Sequence, residues 1–218
     1  MGKSLIIKGA DFSNSALARV GYVYSETVSL VNNQDVTINC DVVAGKTYAI
    51  YTDSRRYRLD LSISQGNSVL ATFKTFDNSN VKADTSGTIF TATSDGTIQV
   101  KGNGNASCDF VIKEAFFVAE KAAVVPSSAE TIAELKAGFK YFINIPEIQL
   151  KSGVSPIQAF AFISIYNSTL YSVIQDSTNS GGYCVNASVD GLLKENGGIN
   201  VDQCDSYTVK IYAVEKEF

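Results

Sequence analysis

The sequence predicts an all-β chain: two similar domains in tandem behind a short N-terminal arm. Three observations carry this. Polar and apolar residues alternate with period two in several runs. Turn residues separate those runs at short intervals. A set of short motifs recurs in the same order, each copy 93 to 102 residues after the first. The 218 residues suffice for two domains of about 100 residues, each able to bury a core. With 45% apolar and 18% charged residues, the chain has the composition of a folded protein and not of a disordered one.

Taken in order, residues 1–18 form the arm. Ser4 to Ser13 carries one short apolar run, Leu5-Ile6-Ile7, and one aromatic, Phe12. Nothing equivalent precedes the second domain, so the arm reads either as an added edge strand or a frayed end, or as a docking segment that pairs with another chain by strand addition. The first domain spans 19–122. Asp35 to Cys40 and Arg58 to Ser64 alternate polar and apolar residues, the mark of strands with one buried face. Thr47 to Thr52 is rich in Tyr and Ile, which suit a pleated surface. Turn signals follow at Gln65-Gly66-Asn67, Ser86-Gly87, Asp95-Gly96, Gly102-Asn103-Gly104 and Gly181-Gly182. Short strands at this density of turns point to a sandwich or barrel. Ala122 to Ser128 is small, uncharged and contains Pro126, and reads as a short linker. The second domain spans 123–218. Its best helical candidate is Ser128 to Lys136, where Thr131-Ile132 and the repeat favour a strand instead.

The repeat itself pairs Ala44-Gly45-Lys46-Thr47-Tyr48 with Ala137-Gly138-Phe139-Lys140-Tyr141. It pairs Leu61-Ser62-Ile63 with Ile163-Ser164-Ile165, and Asn67 to Leu70 with Asn167 to Leu170. Cys108-Asp109 matches Cys204-Asp205, and Val118 to Lys121 matches Ala213 to Lys216. The alternation places Tyr48, Ile50, Leu59, Leu61 and Ile63 in a first core. It places Phe142, Phe160, Phe162 and Tyr212 in a second.

The chemistry is defined largely by exclusions. There is no histidine, which removes histidine bases, His-activated nucleophiles and histidine metal ligands together. Four cysteines (Cys40, Cys108, Cys184 and Cys204) lack the C-x-x-C spacing of a zinc site. They read as thiols, with the pairs Cys40–Cys108 and Cys184–Cys204 as the disulfide alternative. Asp53, Asp77, Asp84 and Asp95 are scattered, and nothing sets two of them at a glycosidase separation. No Ca²⁺ loop of the D-x-D-x-D-G kind occurs, and Gly102-x-Gly104 is too short for a phosphate loop. Residues 1–122 hold 12 basic and 12 acidic residues, and residues 123–218 hold 6 and 10, so the net charge of −4 lies in the second half. The one dense basic group, Arg55, Arg56 and Arg58, is a poor footprint for nucleic acid. No apolar run approaches a membrane span or a secretory h-region. The expectation is a non-catalytic protein with no cofactor and no metal, made in a cytoplasm, with neither nucleic acid nor membrane as partner.

Two resemblances add to this. Ala44-Gly45-Lys46-Thr47-Tyr48 with its following strand, and Phe90 to Val100, resemble strand entries and a strand pair of galactose-binding-like jelly rolls. That resemblance implies two tandem jelly-roll-like β-sandwich domains. It transfers no binding residue. Gly2-Lys3-Ser4-Leu5-Ile6-Ile7-Lys8-Gly9-Ala10-Asp11-Phe12-Ser13 resembles the opening of structural proteins from phages of gut Bacteroidales, crass-like phages among them. This second resemblance implies a virion protein, a head fibre or capsid decoration. Its partners would be other virion proteins and copies of itself, docked through Leu5, Ile6, Ile7 and Phe12. The alternative is a tandem carbohydrate-binding module that adheres to glycans.

Overall fold

A computed structural model describes residues 23–52, 59–75, 86–124, 131–153, 160–165, 169–174, 181–187, 191–195 and 204–216. The secondary structure of these residues is β throughout. In the first half, β1 (Val23–Leu30), β2 (Asp35–Val42), β3 (Thr47–Thr52) and β4 (Asp60–Gln65) come first. They are followed by β5 (Ser68–Lys74), β6 (Ser86–Thr91), β7 (Gly96–Gly102) and β8 (Ala106–Glu114). The second half holds β9 (Phe116–Val124), β10 (Thr131–Leu135), β11 (Phe139–Leu150) and β12 (Phe160–Ile165). It closes with β13 (Thr169–Ile174), β14 (Gly181–Ala187), β15 (Gly191–Glu195) and β16 (Cys204–Lys216).

The strand orders show the same plan twice. In the first half, β1-β8-β3-β6 faces a second sheet, β2-β7-β4-β5. In the second half, β9-β16-β11-β14 accompanies β10-β15-β12-β13. Adding eight to each strand number converts one set into the other. This is the order of an eight-stranded jelly roll, two four-stranded sheets linked by Greek-key crossings.

The turn before β3 shows why the plan recurs. Gly45 has φ +78° and Gly138 has φ +79°, a left-handed conformation in which a Cβ is strained. The Gly45 amide donates to Ala92 O at 2.8 Å, and that of Gly138 to Ala187 O at 2.9 Å. Five residues upstream of each buried tyrosine, a backbone amide donates to its hydroxyl. Val43 N reaches Tyr48 Oη at 2.9 Å and Lys136 N reaches Tyr141 Oη at 3.0 Å. Most repeat motifs thus fall on equivalent strands. The last does not: Val118 to Lys121 lies in β9 and Ala213 to Lys216 in β16. Residues 116–124, read from sequence partly as a closing strand and partly as linker, pair with β16 from Phe116↔Ala213 to Val124↔Ser206.

The first core is a single cluster between its two sheets. Tyr48, Ile50, Leu59, Leu61 and Ile63 all lie in it, with Phe73, Phe90, Phe110 and Ile112. β2 shows the alternation that predicts this, with Ile38, Cys40 and Val42 buried and their neighbours outward. Cys40 and Cys108 are thiols within this core, and Cys184 is a thiol as well. Buried Gln65 fixes the turn beyond β6: its Oε1 accepts from Thr93 N and Ser94 N, and its Nε2 donates to Ser94 O.

Two expectations need correction. Phe142 is buried, but not in the second core. Tyr141, Ile143 and Ile145 are buried on one face of β11, and Phe142 packs on the other with Ala49, Tyr51, Ala115 and Val214. Tyr212 packs on that same cluster. The side chains of Phe160 and Phe162 lie outside the described ones. Ser86-Gly87 and Gly181-Gly182 are not turns. They sit within β6 and β14, where the halves join.

Candidate functional site

The halves share one sheet. β6 and β14 pair antiparallel through Gly87↔Gly182, giving the eight-stranded order β1-β8-β3-β6-β14-β11-β16-β9. Residues paired directly across strands point to the same face. Gly87 shares its face with Ile89, and Gly182 with Cys184, so both halves turn the face opposite their cores to the same side. That face is where the second cluster forms.

The shared sheet curls around this face. β8 and β16 stand five strands apart, about 24 Å in a flat sheet at roughly 4.8 Å per strand. Yet Cα atoms of the two come within 8 Å of each other. Lys113 of β8 forms an ion pair with Glu215 of β16. The bend passes through the glycines. A Cβ on Gly87 would overlap Ile50 O and stand 2.5 Å from Tyr51 Cβ. A Cβ on Gly182 would overlap the Phe142 ring and stand 2.8 Å from Ile143 O. Over the bare backbone, Tyr51 and Phe142 stack with ring centroids 6.1 Å apart.

The inner end of this seam is buried. Desolvation pushes the Cys184 thiol up to about 12, and it raises the Tyr51 phenol, which is hydrogen-bonded to Cys184. Both are therefore neutral at ordinary pH and act as packing groups. Lys113 is only 3% exposed. Glu215 is pushed up by partial burial, but the hydrogen bond and charge of Lys113, together with Lys140, outweigh this and hold it below 4.5. Lys113 is nearly fully buried and cannot be left alone at the junction of two apolar faces, so its pairing with the partly exposed Glu215 ties β8 to β16.

The outer end opens into a cleft of 340 Å³ between the halves. β5 and β6 of the first half line one wall, with Thr72 and Ile89. β11 and β16 of the second line the other, with Asn144, Lys210 and Tyr212. Asn144 is 4% exposed, and its Oδ1 is buried with no hydrogen-bond partner. Lys210 Nζ lies 3.4 Å from Glu120. Tyr212 packs edge-on against Phe117, which is 54% exposed.

None of the candidate site residues named from sequence is among the described lining of the cleft. Leu5, Ile6, Ile7 and Phe12 lie outside the described residues, as do Asp53, Asp77, Asp84 and the three arginines. Asp95 organises a turn: Ala44 N donates to its Oδ1 at 2.8 Å. Gly102-Asn103-Gly104 is a turn after β7, where Asn103 Oδ1 accepts from Asp60 N at 2.9 Å. Among the described residues no three Asp, Glu or Cys side chains gather to hold a metal ion. The seam and the cleft join residues far apart in the chain, Gly87 with Gly182, Lys113 with Glu215 and Ile89 with Asn144, so no local pattern in the sequence announces them.

No protein-family model and no curated protein matches the sequence. Among solved structures, the chain is similar to a cupin 2 conserved barrel domain protein from Leptotrichia buccalis. The identity is 9% and the TM-score 0.34, over 99% of this chain and 100% of that one. It is also similar to the CUB1-EGF-CUB2 domain of human MASP-1/3, at 10% identity and TM-score 0.25, over 88% and 99%. A third is the STIV MCP, at 9% identity and TM-score 0.22, over 89% and 97%. Likenesses this remote carry no argument about what the chain does.

Proposed function

We propose that this chain is a structural subunit of a virion, a head fibre or capsid decoration of a crass-like phage, that acts by assembly and not by catalysis. The observation that carries the reading is the fusion of two jelly rolls on one curled sheet. A buried seam and an ion pair with a buried lysine remove the hinge that a flexible two-module protein would have, and a part that must hold position on a particle gains from that stiffness. The opening dozen residues supply the second support through their resemblance to phage structural proteins. In this reading the arm docks on other virion proteins or on copies of the same chain. Homo-oligomers with closed symmetry are the usual form of such parts.

Deleting residues 1–18 tests it. The expected result is a melting temperature within a few degrees of the full chain, with loss of oligomers in sedimentation and loss of particle attachment in electron micrographs. A deletion that unfolds the first half, while refolded material still assembles, overturns the docking role.

The glycan-adhesion reading has one observation in its favour. The cleft between the halves presents hydrogen-bonding side chains on apolar walls, the mixture that small-ligand sites use.

A further inference from the structure

We infer that the cleft between the two halves binds a neutral polyhydroxylated ligand, a sugar residue of a glycan, with Asn144 as the residue that recognises it. The inference rests on the glycan reading and names its site.

Three features point this way. First, Asn144 Oδ1 is a buried acceptor without a partner, a state that costs free energy until a donor arrives. That oxygen is covered as it stands, so a rotation of the side chain must bring the amide, with its acceptor and two donors, to the cleft wall where Asn144 lies. Second, the Thr72 and Tyr212 hydroxyls each donate and accept, while Leu70, Ile89 and Pro146 give apolar surface for the C–H face of a sugar ring. Third, the Lys210 ammonium is already met by Glu120. The wall is close to neutral, which disfavours a phosphate or sulfate ligand and favours an uncharged one. A cleft of 340 Å³ stands at the small end of ligand sites, which run from about 300 to 1,000 Å³.

The test uses the full chain against a neutral oligosaccharide array and three methyl hexosides (gluco, galacto and manno) in ligand-detected NMR. Binding to at least one probe is expected. Asn144→Leu, close in volume, should weaken it about tenfold or more while the melting temperature holds or rises, because an unmet polar group is removed. Tyr212→Phe should weaken it by a smaller factor. Should Asn144→Leu fail to fold, Thr72→Val on the opposite wall carries the test. If the wild-type chain binds no probe, the glycan reading and the site fall together. If it binds and these variants bind equally well, the glycan reading survives and the cleft assignment is overturned.

Discussion

The two halves of the molecule agree on their inner faces and differ on their outer ones. Tyr48 and Tyr141 occupy the same place behind the same left-handed glycine, each with its hydroxyl on the backbone five residues upstream. On the opposite face the first half brings Ala49, Ala115 and Tyr51 to the seam, and the second brings Phe142 and Val214, with Tyr212 and Cys184 beside them. Tyr51 of one half stacks on Phe142 of the other, and the small side chains of Ala49 and Ala115 leave room for that pair. In the shared sheet the second half also has the longer strands: β11 runs 12 residues against 6 in β3, and β16 runs 13 against 9 in β8. That extra length carries Pro146 to the cleft. The difference teaches that a repeated plan fixes the cores, while the joint depends on positions where the copies are unlike.

The strongest way to break the joint is at its glycines. Gly87→Val puts a branched side chain where even a Cβ overlaps Ile50 O and crowds Tyr51. The backbone there is held on both sides, by β3 and by β14. A loss of about 3 kcal/mol or more in urea unfolding is expected, at the upper end for overpacking. An unchanged midpoint would show that the sheet does not bend at this pair.

That joint was hidden in the sequence for identifiable reasons. Glycine beside serine or glycine reads as a turn, and within a strand it marks close approach of other groups; Gly87 and Gly182 belong to the second case. β11 misled differently. From Tyr141 to Ile145 every side chain is buried, so alternation vanishes and the inward face is ambiguous by one residue. The match of Tyr141 to Tyr48 contained the answer, since it turns Tyr141 inward and Phe142 out. Where one face is wet, as in β2 and β4, period two identified the buried residues directly. Lys113 and Glu215, 102 residues apart, share no local pattern that could announce their pairing.

The ion pair offers a gentler break, and one that depends on pH. Glu215→Gln leaves the Lys113 ammonium in the seam without its carboxylate. Removing one partner of a buried pair costs roughly 3–5 kcal/mol. Glu215 is 34% exposed, so solvent screening reduces the expected loss to about 2 kcal/mol. The carboxyl sits below 4.5 in the folded chain. A depressed folded value means stabilisation that is present above the unfolded value and lost as pH falls through the folded one. Wild type should therefore lose stability on acidification below about pH 4.5 more steeply than the Gln variant, and the gap between them should narrow. Parallel curves for the two proteins would remove Glu215 from the account.

The smallest expected effect tests the half of the comparison that claims sameness. Gly45→Ala and Gly138→Ala each place a Cβ at a φ near +78°. Alanine in the left-handed region costs roughly 1–2 kcal/mol, and nothing lies within 4 Å of a Cβ built at Gly45 to add a clash. Each variant should lose about 1 kcal/mol, and the two losses should agree within a few tenths. The double variant should lose their sum, because the two turns are hydrogen-bonded to different partners, Ala92 and Ala187, and independent sites add. Agreement would show that the turn behaves alike in both halves despite their different outer faces. Unequal losses would mean that the seam reaches back into one of the turns, and that the inner faces are less alike than their shared hydrogen bonds imply.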